Sequence, residues 1–436
     1  MGLSKLLGCL CGKHEEEHSQ PAVPVQYASA IEGKNPKHPH SPADSEDSFD
    51  SDAEFTKEKG LVRIPEPVLS IEKKKNRALI VASKGTYDLV HEEFPEMAHE
   101  KEVVIRNMAT GLNPIDFKSV DYNFCLPEFP WITGREMAGV VEEMGEGVEG
   151  LRVGDRVWTS EFSPAPPFSI LPVERRVLIQ NTGTYYRDRR AGCFQTFVTV
   201  PAHTVLPMPS NLSYNQAACL GVAGLTAAMS LWCWLEVPMS STSDPEKTIE
   251  TEGGEGEWLL IWGGSAVTGQ FATQIAVASG LNVIAVVSSK TKDLSETLGA
   301  TTVVRDNKTE EEIVAEIRGI GGNNITRAID LVGTKTANFC LQALSTSKPS
   351  IFAPLAMISS KAVVPENVRV ETVEMKQFVL NEESRKYAVE LNKLVEQGKL
   401  VLPSIEVLEG GLDIVQPGLD RIKRGDMGGK KLVVAF

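Results

Sequence analysis

Apolar and polar residues alternate with two different periods along the chain. Between residues 75 and 210, short runs rich in β-branched residues, such as NRALIVAS and KEVVIRNMAT, are bounded by polar turns, which predicts strands. GREMAGVVEEMGEGVEGLRVGDRVW continues the pattern with a strand, a glycine-rich turn and a second strand. We therefore predict a small β-rich domain over this part of the chain.

After residue 257 the pattern alternates between the periods of strands and helices. WLLIW, NVIAVVS, TTVVRD and ITRAIDLVG predict strands, and the segments between them, such as GQFATQIAVASG and EEEIVAEIRGI, predict helices. Strands that alternate with helices indicate a parallel, doubly wound sheet, so the predicted fold class is α/β. The C-terminal segment, about 375–436, predicts two helices and a closing strand.

Between these parts, SYNQAACLGVAGLTAAMSLWCWL (213–235) has small residues at helical spacing and predicts a pair of tightly packed helices. Other stretches carry too few large apolar groups to offset the entropy cost of ordering. They predict a disordered tail over 1–65, a loop insertion over 161–190 and a flexible acidic insertion over 241–257.

Composition narrows the class of protein. The chain has 436 residues, of which 42% are hydrophobic and 23% charged, which suits a globular protein of two domains. A net charge of -14 argues against binding to nucleic acid. No stretch approaches the roughly 20 apolar residues needed to cross a bilayer. Seven scattered cysteines indicate reduced thiols and a cytoplasmic location.

The N-terminal segment MGLSKLLGCLCGK has two interpretations. Gly2 could carry a myristoyl group, and Cys9 and Cys11 could carry a second acyl chain, which would hold the protein at a membrane surface. Leu6 departs from the usual myristoylation pattern, which has Ser or Thr at that place. The alternative is an unmodified start of the disordered tail.

The stretch LLIWGGSAVTGQFATQIAVASG (259–280) joins a buried strand to a helix through a glycine-rich turn. Such a turn directs backbone N–H groups and a helix N-terminus at a pyrophosphate, which predicts a dinucleotide site. The alternative is a purely structural turn. Ala266 takes the place of the middle glycine of the usual motif. The predicted pyrophosphate residues are Gly263, Gly264, Ser265, Ala266, Val267, Thr268 and Gly269.

The end of the following strand predicts which dinucleotide binds. Sites for NAD place an acidic residue there to hold the ribose hydroxyls, whereas this chain has Ser288, Ser289 and Lys290, with Lys292 just beyond. Hydroxyl and ammonium groups suit a 2′-phosphate, so NADP(H) is favoured over NAD(H). The alternative is a helix start capped by serine.

From about residue 75 to its end, the chain resembles the zinc-independent branch of the medium-chain dehydrogenase/reductase superfamily. This branch includes quinone oxidoreductases and fungal trans-acting enoyl reductases. The resemblance implies a GroES-like catalytic domain over 75–210, completed by about 375–436, a Rossmann domain over 211–372 and a homodimer. The stretches that carry the resemblance are GLNPIDFKSVDY, GREMAGVVEEMGEGV, VGDRVW, CFQTFVTV, NLSYNQAACLGVAGLTA, WGGSAVTG, LGATTVV, IDLVG and GGKKLVV.

The resemblance also implies a function, namely NADPH-dependent reduction of an enone, an enoyl group or a quinone. Zinc alcohol dehydrogenases have a histidine where this chain has Arg135, and no zinc site can be assembled from its cysteines and histidines. Lys118, Tyr122 or water would supply the proton, and Tyr122 is otherwise an aromatic residue at a domain edge. Arg135 and Glu136 are expected to pair in the cleft. Alternatives are a catalytically idle NADPH-binding sensor or scaffold and, less favoured, a zinc alcohol dehydrogenase.

Overall fold

The computed structural model describes residues 74–123, 126–161, 188–239, 256–425 and 427–436. The predictions for the tail 1–65, for acylation of Gly2, Cys9 and Cys11, and for nearly all of the two insertions lie outside these residues.

Two sheets make up the β-rich part, and their strand pairs are antiparallel except for the parallel pair β15–β16. Its larger sheet has the order β15-β16-β3-β5-β6-β8, with β7 also paired to β3, and its smaller sheet has the order β2-β1-β4. The C-terminal strand β16 runs antiparallel to β3, so the end of the chain completes this sheet. The strands are β1 (Asn76–Ser83), β2 (Thr86–Glu92), β3 (Glu102–Gly111), β4 (Trp131–Ile132), β5 (Glu136–Met144), β6 (Arg156–Ser160), β7 (Phe197–Pro201), β8 (Val205–Pro207), β15 (Ile405–Glu409) and β16 (Lys431–Ala435).

A third sheet contains six parallel strands in the order β11-β10-β9-β12-β13-β14. This is the order of a doubly wound dinucleotide-binding fold, with the reversal between β9 and β12, and it confirms the predicted fold class. The strands are β9 (Trp258–Trp262), β10 (Asn282–Val287), β11 (Thr301–Val304), β12 (Ile325–Asp330), β13 (Ser350–Pro354) and β14 (Val368–Val370).

Strand β9 shows why its sequence is apolar throughout. Leu259 and Ile261 belong to one hydrophobic core, and Leu260 and Trp262 belong to a second core on the opposite face. Alternate side chains of a strand point to opposite faces, so a continuous apolar run is what a sheet covered on both sides requires. The covering helices are Val267–Ala278, Lys292–Thr297, Glu310–Gly321 and Thr334–Ala343.

The small-residue stretch is one helix over Tyr214–Trp234, so the prediction of two helices is wrong. Its α-turns are interrupted by π-helical turns at Leu220–Gly224 and Ser230–Trp234, where the extra residue per turn re-aims the helix without ending it. By length and composition this helix could cross a membrane, but 78% of its most apolar window is buried inside the protein. The remaining helices are Pro114–Tyr122, Gln377–Leu380, Arg385–Glu396 and Val415–Arg424.

Candidate active site

A cleft of about 820 Å³ opens beyond the carboxyl ends of β9 and β12, the neighbouring strands at which the strand order reverses. Ligands of doubly wound sheets bind at this topological switch point. The cleft volume also lies within the range of roughly 300–1,000 Å³ that is usual for ligand sites. One wall comes from the turn after β9, and the other comes from the start of helix Pro114–Tyr122 and the loop before β16.

The glycine-rich turn is shaped by close backbone contacts. Gly263 has a φ of +92°, a conformation that glycine adopts without strain. A Cβ atom added to Gly264 would lie 2.5 Å from the Cβ of Ala285, and one added to Gly269 would lie 2.6 Å from the carbonyl oxygen of Gly263. Gly264 and Gly269 therefore serve the packing of turn, strand and helix, and the cleft itself is lined by Gly263, Ser265, Ala266, Val267 and Thr268.

The helix that follows the turn begins without a side-chain cap. Its N-cap residue is Ala266, whose methyl group cannot accept a hydrogen bond from the first-turn amides of helix Val267–Ala278. Those amides have no partner within the helix. An alanine at this position is unfavourable for the helix alone, and it leaves the amides and the positive end of the helix dipole to an anion in the cleft.

The C-terminal loop packs directly on this turn, a contact that the motif analysis did not predict. The Nε2 atom of Gln270 donates to the carbonyl oxygens of Ser265 at 2.9 Å and of Gly429 at 2.7 Å. Gly429 has a φ of +81°, and a Cβ atom there would lie 2.9 Å from Leu294. The exposed residue Lys430 also lines the cleft. The motif GGKKLVV was the available signal, but spacing alone did not connect it to the cofactor turn.

At the far end of the cleft, side chains that follow β10 and β11 come together. Ser288 and Lys290, two of the predicted cofactor residues, line the cleft, and Arg305 and Asp306 join them from the end of β11. The amide N–H of Ser289 donates to Asp306 at 2.6 Å, and hydrogen bonds from Ser289 lower the pKa of that carboxyl group.

Two of the residues predicted to bind the 2′-phosphate, Ser289 and Lys292, do not belong to the described lining of the cleft. Ser289 uses its backbone to hold Asp306 and is absent from the described lining of the cleft. The Nζ atom of Lys292 lies 3.6 Å from Glu296, one helical turn further along the surface of helix Lys292–Thr297. Arg305, which was not among the predicted residues, lines the cleft as Lys290 does.

The floor of the cleft contains an unexpected buried ion pair. Glu136 is fully buried and pairs with Lys431, of which 3% is exposed. Asn113 bridges both groups and, with Lys431, lines the cleft. Glu136 is thus anchored by the C-terminal strand, whereas the sequence suggested that it pairs with Arg135.

Arg135 lies in a second buried group of charges at the same end of the β-rich part. Its Nε atom is 3.8 Å from Asp116, and its Nη2 atom donates to Ser119 at 3.0 Å. Asp116 also accepts from the amide N–H of Asn113 at 2.9 Å. Burial raises the pKa of Asp116 to about 7, and the charge of Arg135 opposes that rise.

The predicted proton donors face solvent. Lys118 is exposed, and Tyr122 at the end of the same helix is 52% exposed. Neither belongs to the residues that line the cleft. Among the described residues, no group of three or more His, Cys, Asp and Glu side chains is placed to hold a metal ion.

Two family models match the chain. Residues 99–210 match the alcohol dehydrogenase GroES-like domain, and residues 267–349 match the zinc-binding dehydrogenase domain. The trans-enoyl reductase traG of Penicillium crustosum is 28% identical over 379 residues, which cover 82% of this chain and 96% of that protein. The chain is therefore similar to the zinc-independent medium-chain dehydrogenases/reductases of the enoyl- or quinone-reductase type.

Solved structures agree with this medium-chain dehydrogenase/reductase fold. A quinone oxidoreductase of Pseudomonas syringae pv. Tomato DC3000 has a TM-score of 0.64 at 21% identity and covers 83% of this chain and 100% of its own. The mycobacterial protein Rv1454c in complex with NADPH has a TM-score of 0.63 at 21% identity, with the same two coverages. Together with the enoyl reductase relative, these findings support an oxidoreductase of the zinc-independent, enoyl- or quinone-reductase-like type.

We predict that Asp116 makes the stability of the protein fall as pH rises. Its pKa is about 7 in the folded state against 3.8 for an ordinary aspartate, so between these values the folded protein binds more protons than the unfolded chain. The contribution of Asp116 to the free energy of unfolding should therefore decrease between about pH 4 and pH 7, by roughly 4 kcal/mol in total. Asp116→Asn should abolish this component, measured as the difference between the two proteins in urea unfolding at each pH.

Asp330 is a second buried aspartate to which the same prediction of pH-dependent stability applies. It is buried at the end of β12, and burial raises its pKa to about 6 while hydrogen bonds from Thr336 and Gly333 oppose the rise. The difference curve for Asp330→Asn should level off about one pH unit lower than that for Asp116→Asn. Parallel unfolding curves for Asp116→Asn and the unsubstituted protein across this range would contradict the prediction.

Proposed function

We propose that the protein is an NADPH-dependent, zinc-independent reductase that transfers hydride to the activated C=C bond of an enone or enoyl group, or to a quinone. The observation that carries the proposal is the cleft itself, which places an uncapped helix start in its middle and two cations at one end. The names of the enoyl reductase and quinone oxidoreductase relatives support the substrate class.

The residues present fit a dinucleotide along the whole cleft. The first-turn amides after Ala266, together with Ser265 and Thr268, would hold the pyrophosphate. Lys290 and Arg305 would hold the 2′-phosphate, because a guanidinium and an ammonium group bind a phosphate dianion well. The remaining lining, at the end formed by Asn113 and Lys431, is left for the nicotinamide.

Asp306 favours the second candidate cofactor, NADH. Its lowered pKa keeps it ionised, and a carboxylate at this end of the cleft can accept hydrogen bonds from a ribose diol. The same charge would repel a 2′-phosphate. We favour NADPH because the amide and side chain of Ser289 already engage Asp306, and because two cations, Lys290 and Arg305, face the one anion.

When bound, the reduced nicotinamide supplies a hydride to the electron-poor carbon of the substrate. The chain's part is to orient the two reactants. The resulting enolate or hydroquinone anion then needs one proton. Because Lys118 and Tyr122 are exposed and lie outside the cleft lining, we assign that proton to water.

Other parts of the functional hypothesis stay predictions. They include the domain division at 75–210 with 375–436 and at 211–372, a homodimer, a cytoplasmic location and an acylated N-terminus at a membrane surface. Reductase relatives imply small-molecule substrates, and the proposal of an enone, enoyl or quinone substrate refines that statement.

We predict that Lys290→Met and Arg305→Met each weaken NADPH binding by about tenfold, the equivalent of about 1.4 kcal/mol, and leave NADH binding nearly unchanged. The reason is that each substitution removes one charge-assisted hydrogen bond to the 2′-phosphate. Asp306→Asn should act in the opposite direction and strengthen NADPH binding. Dissociation constants from quenching of protein fluorescence by each nucleotide measure these changes.

Lys292→Met is the matched control, because Lys292 is an exposed lysine of the same segment that lies near Glu296 and outside the cleft lining. It should bind both nucleotides as the unsubstituted protein does. If the protein binds NADH more tightly than NADPH, and Asp306→Asn weakens the binding of NADH, then the cofactor is NADH and not NADPH.

We predict NADPH oxidation with at least one member of a panel of enones, enoyl thioesters and quinones, in a protein freed of zinc by chelation. Lys118→Met and Tyr122→Phe should retain nearly all of this activity, whereas loss of a general acid costs about 10²–10⁴-fold. Tight NADPH binding without turnover on the whole panel would favour the alternative of an idle sensor or scaffold. Stoichiometric zinc, lost together with activity on chelation, would favour an alcohol dehydrogenase.

A further inference from the structure

Both carboxylate oxygens of the buried ion pair beneath the cleft have hydrogen-bond partners. One carboxylate oxygen of Glu136 accepts from Lys431 and from the Nδ2 atom of Asn113 at 2.9 Å, and the other accepts from the amide N–H of Val222 at 2.6 Å. The Nζ atom of Lys431 also donates to the Oδ1 atom of Asn113 at 2.7 Å. We call Glu136, Lys431 and Asn113 the floor network.

The floor network joins segments that are far apart in sequence. Glu136 starts β5, Lys431 starts β16, and Asn113 is the N-cap of helix Pro114–Tyr122. The amide of Val222 belongs to the π-helical turn Leu220–Gly224 of the long helix Tyr214–Trp234. A single carboxylate therefore sets the relative positions of two strands and two helices at the bottom of the cleft.

Two glycines make room for this carboxylate. A Cβ atom added to Gly111 would lie 2.4 Å from the Oε1 atom of Glu136, and one added to Gly221 would lie 2.7 Å from the Cβ atom of Glu136. The chain thus brings two backbones into contact with the glutamate side chain. Such close contacts indicate that the backbone is shaped around the buried glutamate side chain.

Stability alone does not explain a charged pair at this place. Removing two charges from water costs several kcal/mol per ion, and well-packed apolar residues are often as stable as a buried ion pair. The pair provides directional hydrogen bonds, and each of them fixes its atoms to within a few tenths of an ångström. The ion pair therefore serves to fix the positions of the atoms around it.

We propose that the floor network is a positioning device for the nicotinamide end of the cofactor. Asn113, Ala223 and Lys431 line the cleft and come from other segments than the phosphate turn, Lys290 and Arg305. By fixing these lining atoms relative to one another, the network sets the distance and tilt of the ring relative to the substrate carbon. This inference rests on the proposed function.

The test is the double variant Glu136→Gln with Lys431→Met, which is neutral and close in shape to the original pair. The matched control is Glu102→Gln with Arg190→Met, which removes another ion pair, joined at 2.8 Å, whose glutamate is 1% exposed and which lies outside the cleft lining. Three readouts are compared: the melting temperature, the emission spectrum and anisotropy of bound NADPH, and the deuterium isotope effect on single-turnover hydride transfer.

We expect both double variants to lose thermal stability and to bind NADPH with little change, since the phosphate contacts remain. Only the floor-network variant should shift the nicotinamide emission, and it should slow hydride transfer by about 10–100-fold, with the isotope effect more fully expressed. A floor-network variant whose emission and hydride-transfer rate match those of the control would overturn the proposal.

Asn113→Ala keeps both charges and removes the bridging hydrogen bonds, together with a long contact of its Nδ2 atom to the carbonyl oxygen of Gly111 at 3.4 Å, so it gives the same test if the double variant does not fold. The emission readout also separates this proposal from the proposed function. A protein that binds NADPH but reduces no member of the panel refutes the reductase, and an unchanged nicotinamide emission in the variants then refutes the positioning role. A protein that does not bind NADPH refutes both.

Discussion

The carboxylate of Glu136 is the constraint on which the geometry of the cleft depends. It is buried and charged, so each of its oxygens must find donors within the protein. Lys431, Asn113 and the amide of Val222 provide them. Satisfying this one group brings together the C-terminal strand, the first helix of the β-rich part and the long linking helix, and their meeting point forms the cleft floor.

The wall formed by the glycine-rich turn depends instead on the close approach of uncharged backbone segments. Gly264 and Gly269 let the turn, strand β10 and the helix after the turn pack without intervening side chains. Ala266 leaves the helix start uncapped. Gln270 then ties the turn to Gly429 in the C-terminal loop. The C-terminal segment therefore contributes to both walls of the cleft.

Local sequence patterns predicted the strands and the strand–turn–helix unit at residues 258–278 well. NRALIVAS and WLLIW coincide with β1 and β9, and the alternation of strands and helices after residue 257 predicted the parallel sheet. Strands and turns depend on the spacing of apolar side chains and on the residue types in the turn. Both can be recognised from a few neighbouring residues. Ser288 and Lys290 were found for the same reason, because they directly follow a strand.

Features that depend on contacts between distant residues were not predictable. Lys431 and Glu136 are 295 residues apart, and Gln270 and Gly429 are 159 apart, so no spacing rule connects them. Helix periodicity also did not show which side of helix Pro114–Tyr122 faces the cleft. Lys118 was therefore placed among the candidate acids although it faces solvent.

A crystal structure of the protein with NADPH tests the relation between the cleft and its cofactor most directly. We expect the pyrophosphate at the amides that follow Ala266, the 2′-phosphate between Lys290 and Arg305, and the nicotinamide against Asn113 and Ala223. A nucleotide bound outside this cleft, or bound with its nicotinamide away from the Glu136–Lys431 pair, would contradict this assignment.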